Sequence, residues 1–417
     1  MAHFGLFQIR NFRFLFLARL LLSVAGQIQS VAIGWQIYEI KRDPLYLGLI
    51  GLAEVIPAIG VALYAGYLVD RRHPLRIYIR ASLICFAGAF VLALVSNSEI
   101  GAPDRFRVLA LFAVVFLTGI ARGFIEPAQF TLFAQSLSRE QLKFGAPWMS
   151  TAWQVATITG PAMGGLTYAV GGPCITYAIV AIVILAAVGF QGFMQLSTVS
   201  TPPPEESLWE SLSSGVKFVF SHEIILAALS LDMFAVFFGG ATSILPMYVD
   251  QVLHQGPAAL GLLRAAPSIG ALLMAGYLIF HPLRRNAGKL LLWAVAGFGL
   301  CMIGFGLSKS LTLSVGLLAL SGALDNISVM VRQIILQLSS PPEMRGRISA
   351  VNGNFLGSSN ELGEFESGVA ARLLGLVPSI IFGGCATLLI VGMSAWLVPK
   401  LRELDLTALE ETSAPAS

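Results

Sequence analysis

Charge is what this sequence has least of. Asp, Glu, Lys and Arg make up 12% of its 417 residues, against roughly 25% in an ordinary soluble chain. With 56% hydrophobic residues and a mean hydropathy of +0.78, the chain reads as a polytopic membrane protein. A net charge of +3 is too small for a nucleic-acid footprint, and the basic residues find a better explanation in membrane topology. Cysteine is scarce as well: Cys85, Cys174, Cys301 and Cys385 each stand alone in an apolar run, which suggests neither a disulfide framework nor a metal site. No GxxxxGK[ST] phosphate loop occurs, so nothing would hydrolyse ATP. His222-Glu223-Ile224-Ile225-Leu226 begins like a zinc-protease HExxH, but Leu226 stands where the second histidine must close the site. The expectation is no enzyme, no cofactor and no metal.

What the chain does have is an internal copy of itself. Residues 57–68 read PAIGVALYAGYL and residues 267–278, offset by 210, read PSIGALLMAGYL, identical at eight of twelve positions. His73-Pro74-Leu75-Arg76 and His281-Pro282-Leu283-Arg284 follow the two copies, so the likeness extends past the helix into its loop. Two like-oriented halves side by side leave a cleft between them, the arrangement of parallel-repeat transporters.

Apolar stretches of about 20 residues predict spans near 14–40, 45–69, 75–96, 107–135, 144–170 and 173–196, then 223–249, 257–281, 288–308, 311–338, 347–375 and 376–398. The expected fold is an all-α membrane protein with twelve transmembrane helices in two pseudo-symmetric six-helix halves. Residues 1–196 form the first half and 223–402 the second. Residues 197–222 are a cytoplasmic linker carrying an amphipathic helix, and 403–417 a cytoplasmic tail. The stretch 347–375 is too polar for a hydropathy plot; parity demands it, because otherwise Arg345 and Arg347 would face the opposite side from Lys400 and Arg402. Under this topology most Lys and Arg lie on one side, among them Arg10, Arg80, Lys217 and Lys289. The positive-inside rule then places both termini in the cytoplasm and the protein in the cytoplasmic, or inner, membrane.

Gly66, Asp70, Arg71 and Arg72, followed by Arg76, resemble the loop signature G-x-x-x-D-R-x-G-R-R of the major facilitator superfamily, whose fold is built from parallel halves. The resemblance implies a gating loop: Gly66 would let its helix approach a neighbour closely, Asp70 would cap a helix N-terminus, and the arginines would hold the loop at the cytoplasmic face. Gly160, Pro161, Gly164 and Gly165 are similar to the G-x-x-x-G-P-x-x-G-G helix-packing motif associated with proton-coupled exporters of that superfamily. Arg332-Gln333, Arg345-Gly346-Arg347 and residues 359–368, SNELGEFESG, resemble the branch that includes the enterobactin exporter. That branch implies proton antiport with alternating access, exporting a siderophore or another amphipathic small molecule. Sodium stays open as the coupling ion, a monomer in the lipid bilayer is expected, and no nucleic-acid partner is. An importer or uniporter on the same fold is the alternative, and a non-transporting membrane sensor or assembly protein stands beside it.

Ionisable residues inside predicted spans should face one another or a wet cavity, because each costs roughly 2.5–3.5 kcal/mol at a helix centre. The candidates for substrate binding or proton coupling are Glu54, Arg122, Glu126, Asp232, Arg264, Asp325, Arg332, Glu361 and Glu364. The offset of 210 relates Arg122 to Arg332 and Glu54 to Arg264, so these four are expected to approach the central cleft. Gly357, Glu361, Glu364, Gly368 and Arg372 share one helical stripe, which makes Glu361 and Glu364 the first coupling candidates, whereas Glu366 points elsewhere. Trp35, Tyr38, Phe124, Trp148, Trp153, Tyr168 and Phe234 are candidate linings for an amphipathic solute.

Overall fold

The structure is a computed structural model that describes residues 5–195, 216–281, 286–339 and 344–404. Among these residues every regular element is helical. The helices are α1 (Arg10–Lys41), α2 (Pro44–Arg71), α3 (Pro74–Val95), α4 (Asp104–Ser136), α5 (Arg139–Gly192), α6 (Glu223–Gly239), α7 (Leu245–Gln251), α8 (Pro257–Phe280), α9 (Ala287–Leu307), α10 (Leu311–Ser339), α11 (Arg345–Leu374) and α12 (Leu376–Leu397).

Local chemistry sets the boundaries. Asp43 caps α2 by accepting the Leu45 N–H at 2.9 Å, and Pro44 sits at the first helical turn, where its missing donor costs nothing. The 54-residue α5 is broken at Gly172, which turns left-handed (φ 69) before Pro173, in the gap between the predicted spans 144–170 and 173–196. Gly375 (φ 92) alone separates α11 from α12; a side chain at either glycine would be strained. The predicted span 223–249 is interrupted: α6 stops at Gly239 and the chain resumes as α7 at Leu245. A Gly239-Gly240 pair is a poor helix former, and Pro246 suits only the first turn of a new helix.

Among the described residues, nine helices are long and apolar enough to cross a membrane, namely α1 to α5, α8 to α10 and α12. At 17 residues α6 is short, and α11 carries Glu361, Glu364, Glu366 and Arg372. Twelve spans therefore remain an expectation. Phe130, Leu273, Phe280, Trp293 and Trp396 are each at least 70% exposed, an apolar exterior that needs lipid rather than water around it. Of the predicted amphipathic linker helix only 216–221 is described, and it is helical. The rest of the linker before residue 216, with most of the tail, lies outside the described residues.

The chain forms two compact units, Met1–Pro204 with His254–Ala265, and Glu205–Leu253 with Ala266–Ser417. In the first, α1 packs on α5, α2 on α4, and α3 on both α4 and α5. Its core has two parts, one around Phe12, Leu15, Tyr78 and Leu132 and one around Ile28, Ala89, Ala121 and Val180. In the second, α9 packs on α10 and α12, and α6 on α11 and α12, around Leu229, Leu231, Leu291, Val331 and Ile335. The core of the second unit extends into the short helix Pro399–Arg402, whose Leu401 is buried. Lipid is as apolar as leucine, so these helices are held by close contact rather than by escape from water. Small residues supply that contact. A Cβ on Gly119 would strike the Glu54 carbonyl, and one on Gly123 would strike Val61, so α4 lies directly on α2. In the second unit Gly270 meets Ala319 and Gly322 meets Pro267, which brings α8 against α10 in the same way.

Candidate functional site

In the first unit Arg122 on α4 pairs with Glu54 on α2. The glycine contact at 119 and 123 sets the spacing that lets a long side chain on one helix reach a short one on the other. Their side chains are 43% and 25% exposed, so water screens the pair and its net contribution is small. Glu126, one turn along α4, is exposed and belongs to no ion pair among the described residues. Arg264 at the start of α8 donates to Ser30 Oγ of α1 at 2.8 Å.

The second unit treats its charges differently. Arg332 on α10 pairs with Asp232 on α6, and the side chains are 1% and 4% exposed. Asp325, Ser328 and Arg332, spaced three and four apart, occupy one face of α10. Ser328 Oγ donates to Asp232 Oδ1 at 3.2 Å. A small cavity opens beside this pair, lined by Asp232, Asp325, Ser328, Val295, Phe298, Ala235 and Val236. The second unit thus gathers two carboxylates, one guanidinium and one hydroxyl in an apolar setting, a grouping able to hold or release a proton while keeping its cation in place. Arg332 is sealed from solvent, and an arginine this deep must be neutralised where it sits.

Glu361 and Glu364 are half-buried on α11, and neither lines the cavity beside Asp232. The Glu364 carbonyl accepts from Ser243 Oγ at 2.9 Å. Of the loop residues, Arg71, Arg72 and Arg76 are exposed, and the Arg71 guanidinium lies 4.5 Å over the Tyr67 ring. The side chain of Asp70 lies outside the described residues. The close approach expected at Gly66 is not made there: a Cβ on Gly66 would meet nothing within 4 Å, and α2 is approached instead at Glu54 and Ala58. In α5, a Cβ on Gly160 would strike Gln27 and one on Gly164 would press on Ile28, both on α1. Gly165 meets Gly261 of α8, and the Pro161 carbonyl faces Gly261, so all four motif residues lie along tightly packed helix faces.

A helical membrane chain with charge clusters inside each compact unit points to a carrier. The model of the transmembrane secretion effector family matches residues 1–416. The chain belongs to that family, within the major facilitator superfamily. This secretion-effector protein is therefore a multi-pass membrane transporter and not an enzyme. It is 24% identical over 408 residues to the multidrug efflux pump Tap of Mycolicibacterium fortuitum, covering 94% of this chain and 96% of that protein. It is 27% identical over 353 residues to the enterobactin exporter EntS of Shigella dysenteriae serotype 1 (strain Sd197), covering 82% and 80%. Among solved structures, a POT family transporter in complex with 5-aminolevulinic acid aligns with a TM-score of 0.73 at 11% identity, over 94% of this chain and 96% of that one. A bacterial homologue of the human lysosomal transporter Spinster aligns with a TM-score of 0.68 at 14% identity, over 97% and 99%. At such identities these structures speak for the fold.

Sequence reasoning missed Glu39 of this transporter. Its carboxylate accepts from Trp35 Nε1 at 2.6 Å and from the Tyr168 hydroxyl at 2.7 Å, so two of the seven candidate lining aromatics are committed to a carboxylate at the end of α1. The Trp35–Glu39 spacing of four on a predicted helix was the available signal. Gly119 and Gly123 were equally readable as a small-xxx-small pair in 119–123, GIARG.

Proposed function

We propose that the protein is a secondary exporter that expels an amphipathic small molecule, of siderophore or drug class, in exchange for protons. The export direction draws support from the family's description and from the two relatives named for efflux and export. The observation that carries proton coupling is the buried cluster of the second unit, where Asp325 lines the same cavity as Asp232, the ion-pair partner of Arg332. With Arg332 held by Asp232, Asp325 is the carboxyl that exchanges a proton with the cavity, and Arg332 is the fixed counter-charge. This moves first place among the coupling candidates from Glu361 and Glu364 to Asp325. The half-exposed Arg122–Glu54 pair serves as a solvent-reachable contact for an anionic group on the solute. The remaining parts of the reading are twelve spans in two six-helix halves, both termini in the cytoplasm, alternating access and a monomer.

The test is accumulation of a panel of siderophores and amphipathic drugs in cells stripped of their own efflux pumps, with and without a protonophore. Lower accumulation that both the protonophore and Asp325→Asn abolish is the expected result. Export that survives the protonophore would overturn proton coupling, and higher accumulation would reverse the direction.

A further inference from the structure

The interruption between α6 and α7 leaves backbone carbonyls without hydrogen-bond donors inside the second unit. Where a helix ends, its last carbonyls lose their intrahelical donors and must find others. Some do. Gly240 N–H still reaches the Val236 carbonyl at 3.0 Å, and Ser367 Oγ donates to the Gly240 carbonyl at 2.6 Å. Nothing among the described residues donates to the carbonyls of Phe238 and Gly239. These two residues line a small cavity, together with Gly240, Glu366, Ser367 and Ser379.

Glu366 is the charged group in this lining. It is half-buried on α11, and among the described residues it has neither an ion-pair partner nor a hydrogen bond. The helices packed on α11 are α6, α12 and, more lightly, α10, and the apolar residues that line this cavity are Phe238, Ile244, Ile380 and, from α9, Met302. A carboxylate in such surroundings is strongly disfavoured unless something positive accompanies it. Ser379 Oγ donates to the Leu376 carbonyl at 2.8 Å, and Ser367 Oγ donates to Gly240, so both hydroxyl oxygens keep lone pairs for a further partner.

We infer that the break between α6 and α7 and the carboxylate of Glu366 form a binding site for one small monovalent cation of the sodium class. The donors are all hard oxygens: one carboxylate, the unsatisfied carbonyls of Phe238 and Gly239, and the hydroxyls of Ser367 and Ser379. Oxygen donors of this kind select hard cations over transition metals, and unwound backbone carbonyls are how broken membrane helices hold alkali ions. One carboxylate balances one positive charge, whereas calcium-type sites draw on several. The site shares no lining residue with the Asp232–Asp325 cavity, so it stands apart from the proton-coupling cluster and from the direction of transport.

The full-length protein, purified in detergent without solute or gradient, tests the inference directly. Its thermal unfolding midpoint is followed while sodium chloride replaces choline chloride at constant ionic strength and pH, with bound ²²Na⁺ counted in parallel. A ligand that binds only the folded state raises the midpoint saturably, and a saturable rise with one bound sodium per chain is expected. Glu366→Gln should remove both signals, and Ser379→Ala should raise the half-saturating sodium concentration at least threefold. The Ser379 variant preserves the decision if the glutamine variant fails to fold. A wild-type midpoint indifferent to sodium overturns the inference, as does sodium binding that persists in a folded Glu366→Gln protein. A midpoint that follows pH and ignores sodium would assign Glu366 as a protonated acid instead. Transport is not measured, so failure here leaves the exporter reading untouched.

Discussion

Arg122 and Arg332 occupy equivalent positions in the internal repeat and live in opposite environments. Arg122 is 43% exposed beside Glu54, whereas Arg332 is 1% exposed beside Asp232. The partners are not equivalent either. The position 210 before Asp232 is Leu22, and the position 210 after Glu54 is Arg264, which is bonded to Ser30. Each unit has found its counter-charge on a different helix, α2 in the first and α6 in the second. Duplication copied the arginine and left the electrostatics to diverge, so an equivalent position does not mean an equivalent role.

The sharpest way to break this contrast is to remove one partner at a time. Arg332→Met or Asp232→Leu alone strands a buried charge, at a cost of about 3–5 kcal/mol, and should lower the unfolding midpoint in detergent further than any substitution at Arg122, Glu54 or the helix-packing glycines. Combining the two should recover most of the loss. A double variant no better than either single one would mean that the pair is not what neutralises Arg332.

Helix contact comes next. Gly322→Ala places a Cβ against the Pro267 backbone, which cannot swing aside as a side chain would, and overpacking of this kind costs about 1–3 kcal/mol. Thermal unfolding should show it clearly, and an unchanged midpoint would place α8 farther from α10 than described. In the first unit, Arg122→Gln and Glu54→Gln should each cost about 0.2–1 kcal/mol and less at high salt, so a loss as large as that of Arg332 would erase the distinction between the two pairs. The smallest effect has the opposite sign. Gly66→Ala, in open space within α2, should stabilise by about 0.5–1 kcal/mol, since alanine fits a helix better than glycine; destabilisation would restore the close approach expected from the loop signature.

Much of this was legible in the chain itself. Hydropathy predicted most of the helices within a few residues of where the structure places them, because a membrane leaves the backbone little choice but helix. The residue types of the site were legible too, since a charge in an apolar stretch declares itself. Partners were not. Arg332 to Asp232 spans 100 positions, and nothing local says which of several carboxylates a guanidinium meets. The break at Gly239-Gly240 was hidden for a related reason: hydropathy ran straight through it, and only backbone geometry shows that the helix stops. Glu366 was set aside because it points away from the stripe of Glu361 and Glu364, a judgement about one helix that took no account of what α6 brings to its other face.

The single-glycine turns at Gly172 and Gly375 also bear on how this molecule meets its surroundings. Two long helices joined by one residue expose no length of peptide, so neither turn offers a strand for a protease to grip or an epitope for an antibody to raise. Accessibility mapping will find those two places silent whichever side of the bilayer they face. Reporter tags inserted there would cut into helix rather than extend a loop.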